Sequence, residues 1–171
     1  TPLFPADYST VVLDENGQYL RVFLNSEEQW IMPDDGRPVP PKLKTAVIHY
    51  EDKRFAHHFG VDPLALARAV FQNIRYRERI SGASTMTMQV ARLFAPKERT
   101  IKNKLIEMVQ AVLIELRYSK DEILQLYLQH APYGGNIIGY RTASLRYFGK
   151  EPENLSWAET AALAVLPNDP A

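Results

Sequence analysis

From Pro41 onward the chain carries helix-start signals at intervals that suit a stack of short helices. Pro41 fits a first helical turn, where a missing N–H loses no partner, and the apolar pattern after it predicts a helix reaching about Phe59. Asp62-Pro63 predicts a cap and a first-turn proline opening a helix through "LALARAVFQNIRYRER". Gly82 breaks that helix, "STMTMQVARLF" predicts a short one and Thr100 to Arg117 a long one. Ser119 with Glu122, and Ser156 with Glu159, form capping boxes that open "KDEILQLYLQH" and "WAETAALAVL". Before Pro41 the pattern changes. Residues 9 to 24 alternate apolar and polar around Asn16-Gly17, which predicts a β hairpin, and a proline-rich linker follows to residue 40. The fold expected is mostly α with a small N-terminal β hairpin.

Composition narrows the function. With 171 residues, 46% of them hydrophobic and 23% charged, the chain can bury one substantial core. It has no cysteine, so disulfides and thiolate metal sites are excluded. No apolar run approaches the ~20 residues that a spanning helix needs. The sequence starts at Thr1 rather than Met, and the expectation is a piece of a longer protein whose membrane anchor lies outside it. The net charge is zero but unevenly spread: between Arg75 and Lys104 eight cations face two acids, Glu78 and Glu98. Such a distribution suits an anionic partner held locally, and not a nucleic acid coating the surface. A solvated basic face explains it equally well.

Three stretches carry chemistry. If Thr45 to Phe59 is one helix, "EDKRFAHHFG" places Glu51, Phe55 and His58 at i, i+4 and i+7 on one face. Taken alone, a hydrogen-bonded structural cluster is the commoner explanation. In "GASTMTMQ", Ser84, Thr85 and Thr87 can cap a helix whose first N–H groups form an anion site. A plain cap is the usual reading, and what weakens it is the cationic run of Arg92, Arg99 and Lys104 just beyond. In the long helix Arg99, Asn103 and Glu107 recur every four residues with Lys104 at the edge, leaving Leu105, Met108, Val112 and Leu116 to fill the other side. Two separated acids with cations between them suit transfer from an anionic leaving group: one carboxylate takes a proton and the cations receive the departing charge.

Together with "RTIKNKLIE", "KDEILQLYLQHAPYGGN" and "LSWAETAALAVLP", these stretches occur in the order and at the spacing of the five motifs of the peptidoglycan glycosyltransferases, glycosyltransferase family 51. Over residues 42 to 167 the chain resembles that family, and most of all its class A penicillin-binding proteins of the 1C kind. The resemblance implies a lysozyme-like, two-lobed helical domain over 41–171, with 1–40 as hairpin and linker. It implies polymerisation of lipid II into β-1,4-linked glycan strands, with inversion and release of the lipid diphosphate. Glu51 becomes the general base, supported by Asp52, Phe55 and His58. Ser84, Thr85 and Gln89 would contact substrate, Arg92 and Arg99 would grip diphosphate, and Lys104 with Glu107 would complete a second catalytic cluster. Glu107 would assist the leaving group directly or through a divalent cation, Mg or Mn. No nucleotide cofactor is implied, because the family's donor is a lipid diphosphate.

The implied partners are lipid II and the growing glycan chain, the membrane surface and moenomycin-type inhibitors, with no nucleic acid. A transpeptidase domain is implied in the parent chain, at the outer (periplasmic) face of the bacterial cytoplasmic membrane. Three positions depart from the family's pattern: Arg92 replaces a frequent lysine, Asn103 a frequent arginine and Gln129 the asparagine of "YLN". The basic amphipathic segment 61–80 reads either as core-packed or as lying in a bilayer interface, which a lipid-fed polymerase requires. Two rivals remain at this point. A lysozyme-type hydrolase would leave Arg92, Arg99 and Lys104 idle, and a non-catalytic scaffold would not need Glu51 and Glu107.

Overall fold

The computed structural model describes residues 3–4, 7–76 and 84–167. The Gly82 break and the Arg77–Ile80 part of the basic segment lie outside the described residues. The chain forms two compact units, Thr1–Tyr50 with Leu128–Ala171, and Glu51–Tyr127.

In the first unit the hairpin forms where the alternation predicts it, as β1 (Thr10–Leu13) paired antiparallel with β2 (Tyr19–Phe23). Its turn depends on Asp14 as well as on Asn16-Gly17. The Asp14 carboxylate accepts from the backbone N–H of Asn16 and Gln18 at 2.8 and 2.7 Å, and Gly17 takes the left-handed conformation, φ 78°, that closes the loop. A second, parallel pair, β3 (Trp30–Ile31) with β4 (Ile137–Ile138), joins segments far apart in sequence. The unit also holds the body of α1 (Pro41–Glu51), the end of α5 (Lys120–His130), α6 (Tyr140–Phe148) and α7 (Trp157–Val165). Both sides of the Ser156–Glu159 capping box are made, so α7 starts where its sequence says. Leu43, Val47, Leu128, Leu155 and Leu163 are buried, and Arg37 and Arg141 pair with Asp35 and Glu151 at its surface.

The second unit contains α2 (Pro63–Tyr76), α3 (Met86–Phe94) and α4 (Ile101–Glu115). Asp62 caps α2 by accepting from Leu64 N at 3.0 Å, Thr85 caps α3 and Thr100 caps α4. The helix expected to reach Phe59 stops at Glu51, and a 3₁₀ turn over Phe55–His57 follows. Glu51, Phe55 and His58 therefore do not share a helical face. Asp52 ends the helix because its carboxylate is taken by partners further along the chain, His58 Nε2 at 2.9 Å and Met86 N at 3.0 Å. Gly60 then turns the chain against α4: at φ 80° a Cβ there would sit 2.7 Å from the Ala111 carbonyl carbon.

Helix α4 is oriented opposite to its amphipathic reading. Glu107, Ala111 and Ile114 are buried, whereas Leu105 and Leu116 are exposed and Met108 and Val112 half-buried. The inward side carries the acid and a small residue because it packs on α3, from which Arg92 reaches Glu107. Helical class and N-terminal hairpin are nonetheless as expected, and the domain is mostly α and lysozyme-like.

Candidate active site

Glu51 is the last residue of α1 and is half-buried. Its Oε2 accepts a hydrogen bond from Gln89 Nε2 at 2.8 Å, so a neutral amide on α3 orients the carboxylate. Asp52, beside it, is buried and bonded to His58 and to Met86 N. The His58 ring packs edge-on to Phe55, centroids 6.2 Å apart. All three are buried in the segment that follows Glu51.

Three residues along α3 from Gln89, Arg92 meets the second acid. Its Nε and Nη2 donate to Glu107 Oε1 and Oε2, both at 3.0 Å, a two-pronged contact that lysine cannot make. Lys104 Nζ lies 3.8 Å from Glu107 and donates a short hydrogen bond to Ser84 Oγ. Burial works against charge on Glu107, but the Arg92 hydrogen bonds, with the charges of Arg92, Lys104 and Lys97, prevail and hold its carboxyl below the ordinary range. The Glu107 contact in turn raises Arg92 above its usual value. Burial lowers Lys104, only partly offset by Glu107. Glu107 is thus an anion locked among cations.

The remaining predicted residues divide. Ser84 sits beside Lys104, next to the cationic cluster. Thr85 is buried, accepting from Met88 N at 3.2 Å and donating to the Gly60 carbonyl at 2.5 Å, so its hydroxyl is engaged in capping α3 and fastening the 52–60 loop. Arg99 precedes α4, is exposed and makes no ion pair among the described residues. Lys97 is the cation that acts on Glu107 from that stretch, anchored on Gln110 at 3.2 Å. Its place in the basic run marked it, but nothing local distinguished it from Arg99. Asn103, where the family often has arginine, bonds the Glu98 carbonyl at 2.9 Å and closes the turn before α4.

Gln89 and Arg92 stand on one face of α3, with β-carbons ~5–6 Å apart by helical geometry, and each grips one acid. A helix that holds one carboxylate through a neutral amide and the other through a guanidinium separates a proton acceptor from a phosphate-binding cluster. A divalent cation does not fit this arrangement. Both Glu107 oxygens are engaged by Arg92, two lysines lie nearby, and no group of three metal-binding side chains exists among the described residues.

Known proteins share much of this sequence. The family model for transglycosylases matches residues 16–171. The chain is 42% identical over 170 residues to penicillin-binding protein 1C of Escherichia coli, covering 99% of this chain and 22% of that protein. It is 33% identical over 164 residues to penicillin-binding protein 1F of Bacillus subtilis, covering 95% and 22%. With penicillin-binding protein 1A of Aquifex aeolicus it shares 40% identity over 134 residues, 78% of this chain and 18% of the relative. The chain spans about a fifth of the length of these relatives. It belongs to the transglycosylase family.

Proposed function

We propose that this domain polymerises lipid II, with Glu51 as the general base and Arg92 and Lys104 as the diphosphate grip. The observation that carries the reading is that α3 reaches both acids, Gln89 bonding Glu51 and Arg92, three residues on, holding Glu107 inside a cluster of cations. Glu51 takes the proton of the acceptor sugar hydroxyl as that oxygen attacks the donor's anomeric carbon. The bond from that carbon to the diphosphate oxygen breaks on the opposite side, and in-line displacement turns an α-linked donor into a β-linked glycan. Arg92 has five N–H donors and gives two to Glu107, so three remain for phosphate oxygens. Lys104 adds a second cation.

Glu107, held ionised, does not protonate the leaving group. It fixes Arg92 and Lys104 at the place where charge develops. The divalent cation expected near Glu107 has no part in this reading. Phosphoglycolipids of the moenomycin type, which present the same charge, are the inhibitors that suit the cluster. A transpeptidase domain elsewhere in the parent chain would cross-link the product.

The location proposed is the outer face of the cytoplasmic membrane, where a lipid-borne donor is delivered. Supporting it, Ile101, Leu105, Val109, Leu113 and Leu116 form one exposed stripe on α4, each 57% exposed or more, opposite Glu107 around the helix. On α2 the exposed Leu64, Arg68, Phe71 and Arg75 likewise share one face, apolar groups alternating with cations that suit anionic lipid. Among the described residues no helix is long and apolar enough to cross a membrane.

The test is turnover of lipid-linked disaccharide-peptide diphosphate in detergent or vesicles, with the product's linkage read by NMR. A β-linked polymer is the expected result. Hydrolysis without polymer, or no consumption of donor, would overturn the reading.

A further inference from the structure

The rear of α3 carries an arrangement that glycosyl transfer does not use directly. Thr87 is buried and lies two residues before Gln89 and five before Arg92, which at ~100° per residue places it on the far side of the helix from both. Its hydroxyl donates to Glu115 Oε1 at 2.6 Å. The same oxygen accepts from Lys120 Nζ, also at 2.6 Å, and the Glu115 side chain is only 4% exposed. Lys120 also donates to the His58 carbonyl at 2.7 Å, and its ammonium sits 4.5 Å from the centre of the Phe55 ring. One ammonium therefore joins the end of α4, the start of α5, the loop that follows Glu51 and, through Glu115, the rear of α3.

A buried ion pair of this kind is a poor stability device, since an uncharged pair of similar shape often folds as well. What it supplies is directional geometry. Lys120 fixes the two segments whose spacing decides whether Gln89 meets Glu51. The loop side is continued by His58 to Asp52, the residue next to Glu51, at 2.9 Å, and the helix side by Thr87 in α3 itself.

We infer that Lys120 is a positioning residue for the glycosyl transfer, acting through Glu115 and Thr87 on α3 and through His58 on the loop after Glu51, so that Gln89 holds Glu51 in its reacting orientation. This rests on the function proposed above. The diphosphate grip is outside its reach, because Arg92 is held by Glu107 and not by the Lys120 network.

The experiment measures kcat and KM with lipid-linked disaccharide-peptide diphosphate, the Kd for the same lipid, and thermal unfolding. The proteins compared are the wild type, Lys120→Met, Lys120→Arg and the uncharged pair Glu115→Gln with Lys120→Met. Misplacement of order 1 Å costs ~100-fold, so kcat in Lys120→Met should fall about 10- to 100-fold with KM and Kd within about threefold of wild type. Lys120→Arg should recover most of that loss, because it restores a cation able to reach both oxygens. The uncharged pair should unfold at nearly the wild-type temperature and remain as slow as Lys120→Met, and it decides the matter if the single variant does not fold. Near wild-type kcat in a folded uncharged pair, or a raised Kd and a lowered unfolding temperature accompanying the fall in kcat, would overturn the proposal. Wild-type protein that binds the lipid without turning it over would overturn the functional reading, and this inference with it.

Discussion

Gln89 donates from its amide to Glu51 at 2.8 Å, whereas Arg92 donates from its guanidinium to both oxygens of Glu107 at 3.0 Å, with Lys104 a further 3.8 Å contact. Both partners project from α3, three residues apart. An amide orients a carboxylate without placing a charge beside it; a bidentate guanidinium fixes the negative charge. In the proposed mechanism two glutamates of one unit take different roles from the residues of a third element.

The largest consequence is at Glu51. Replacing it with Gln keeps the shape and removes the base, so turnover should fall by about 10²- to 10⁴-fold with unfolding unchanged, as read by a polymerisation assay beside circular dichroism. A variant that polymerises at near wild-type rate would break the comparison at its first term.

Next comes Arg92→Ala. It removes both bonds to Glu107 and leaves a buried carboxylate with only lysines near it, so stability should drop by about 1–3 kcal/mol in urea unfolding. Affinity for diphosphate-bearing lipid should fall in the same variant. A loss of stability without loss of affinity would show that Arg92 serves the fold and not the substrate.

A smaller effect separates the acids by pH. Glu107 lies below its ordinary value of 4.5 in the folded state, because its cationic partners outweigh the effect of burial. Its contribution to stability is therefore complete above that ordinary value and is lost as pH falls through the folded one. Subtracting the stability of Glu107→Gln from that of wild type should give a difference that shrinks with acidification below about pH 4.5, once urea unfolding is repeated across pH. A difference independent of pH would mean that Glu107 carries no fixed charge. Least affected should be Arg99→Ala. Its side chain is exposed and without an ion pair among the described residues, so stability should move by no more than ~0.5 kcal/mol, and any loss of lipid affinity should vanish at high salt.

Features set by neighbouring residues were legible in the sequence. The hairpin, the Asp62 cap and the Ser119 and Ser156 capping boxes are local, and each appears where its residues indicate. Of the site, residue type marked the two acids and the basic run, but helical spacing grouped Glu107 with Arg99, whereas the guanidinium that holds it is that of Arg92. What could not be read depends on contacts far along the chain. The end of α1 is decided by the Asp52 bond to Met86 N, 34 residues on, and the 52–60 turn by the approach of Gly60 to Ala111. Amphipathic spacing has no way to tell that α4 turns its acid inward and its leucines outward. Thr85 was legible as a helix cap and is one, but its bond to the Gly60 carbonyl is non-local and had no signal in the sequence. Helix α6 escaped notice since Thr142 and Ser144 are weak helix formers, and its limits come from Gly139 and the left-handed Gly149.

The division of labour between the two acids is tested most directly by calorimetric titration of a diphosphate-bearing lipid into Glu51→Gln and Glu107→Gln. The account predicts that Glu51→Gln binds as the wild type does. Glu107→Gln, its Arg92 and Lys104 no longer held, should bind about tenfold more weakly, the ~1.4 kcal/mol that one charge-assisted contact supplies. Equal binding by the two variants, or weaker binding by Glu51→Gln alone, would contradict it.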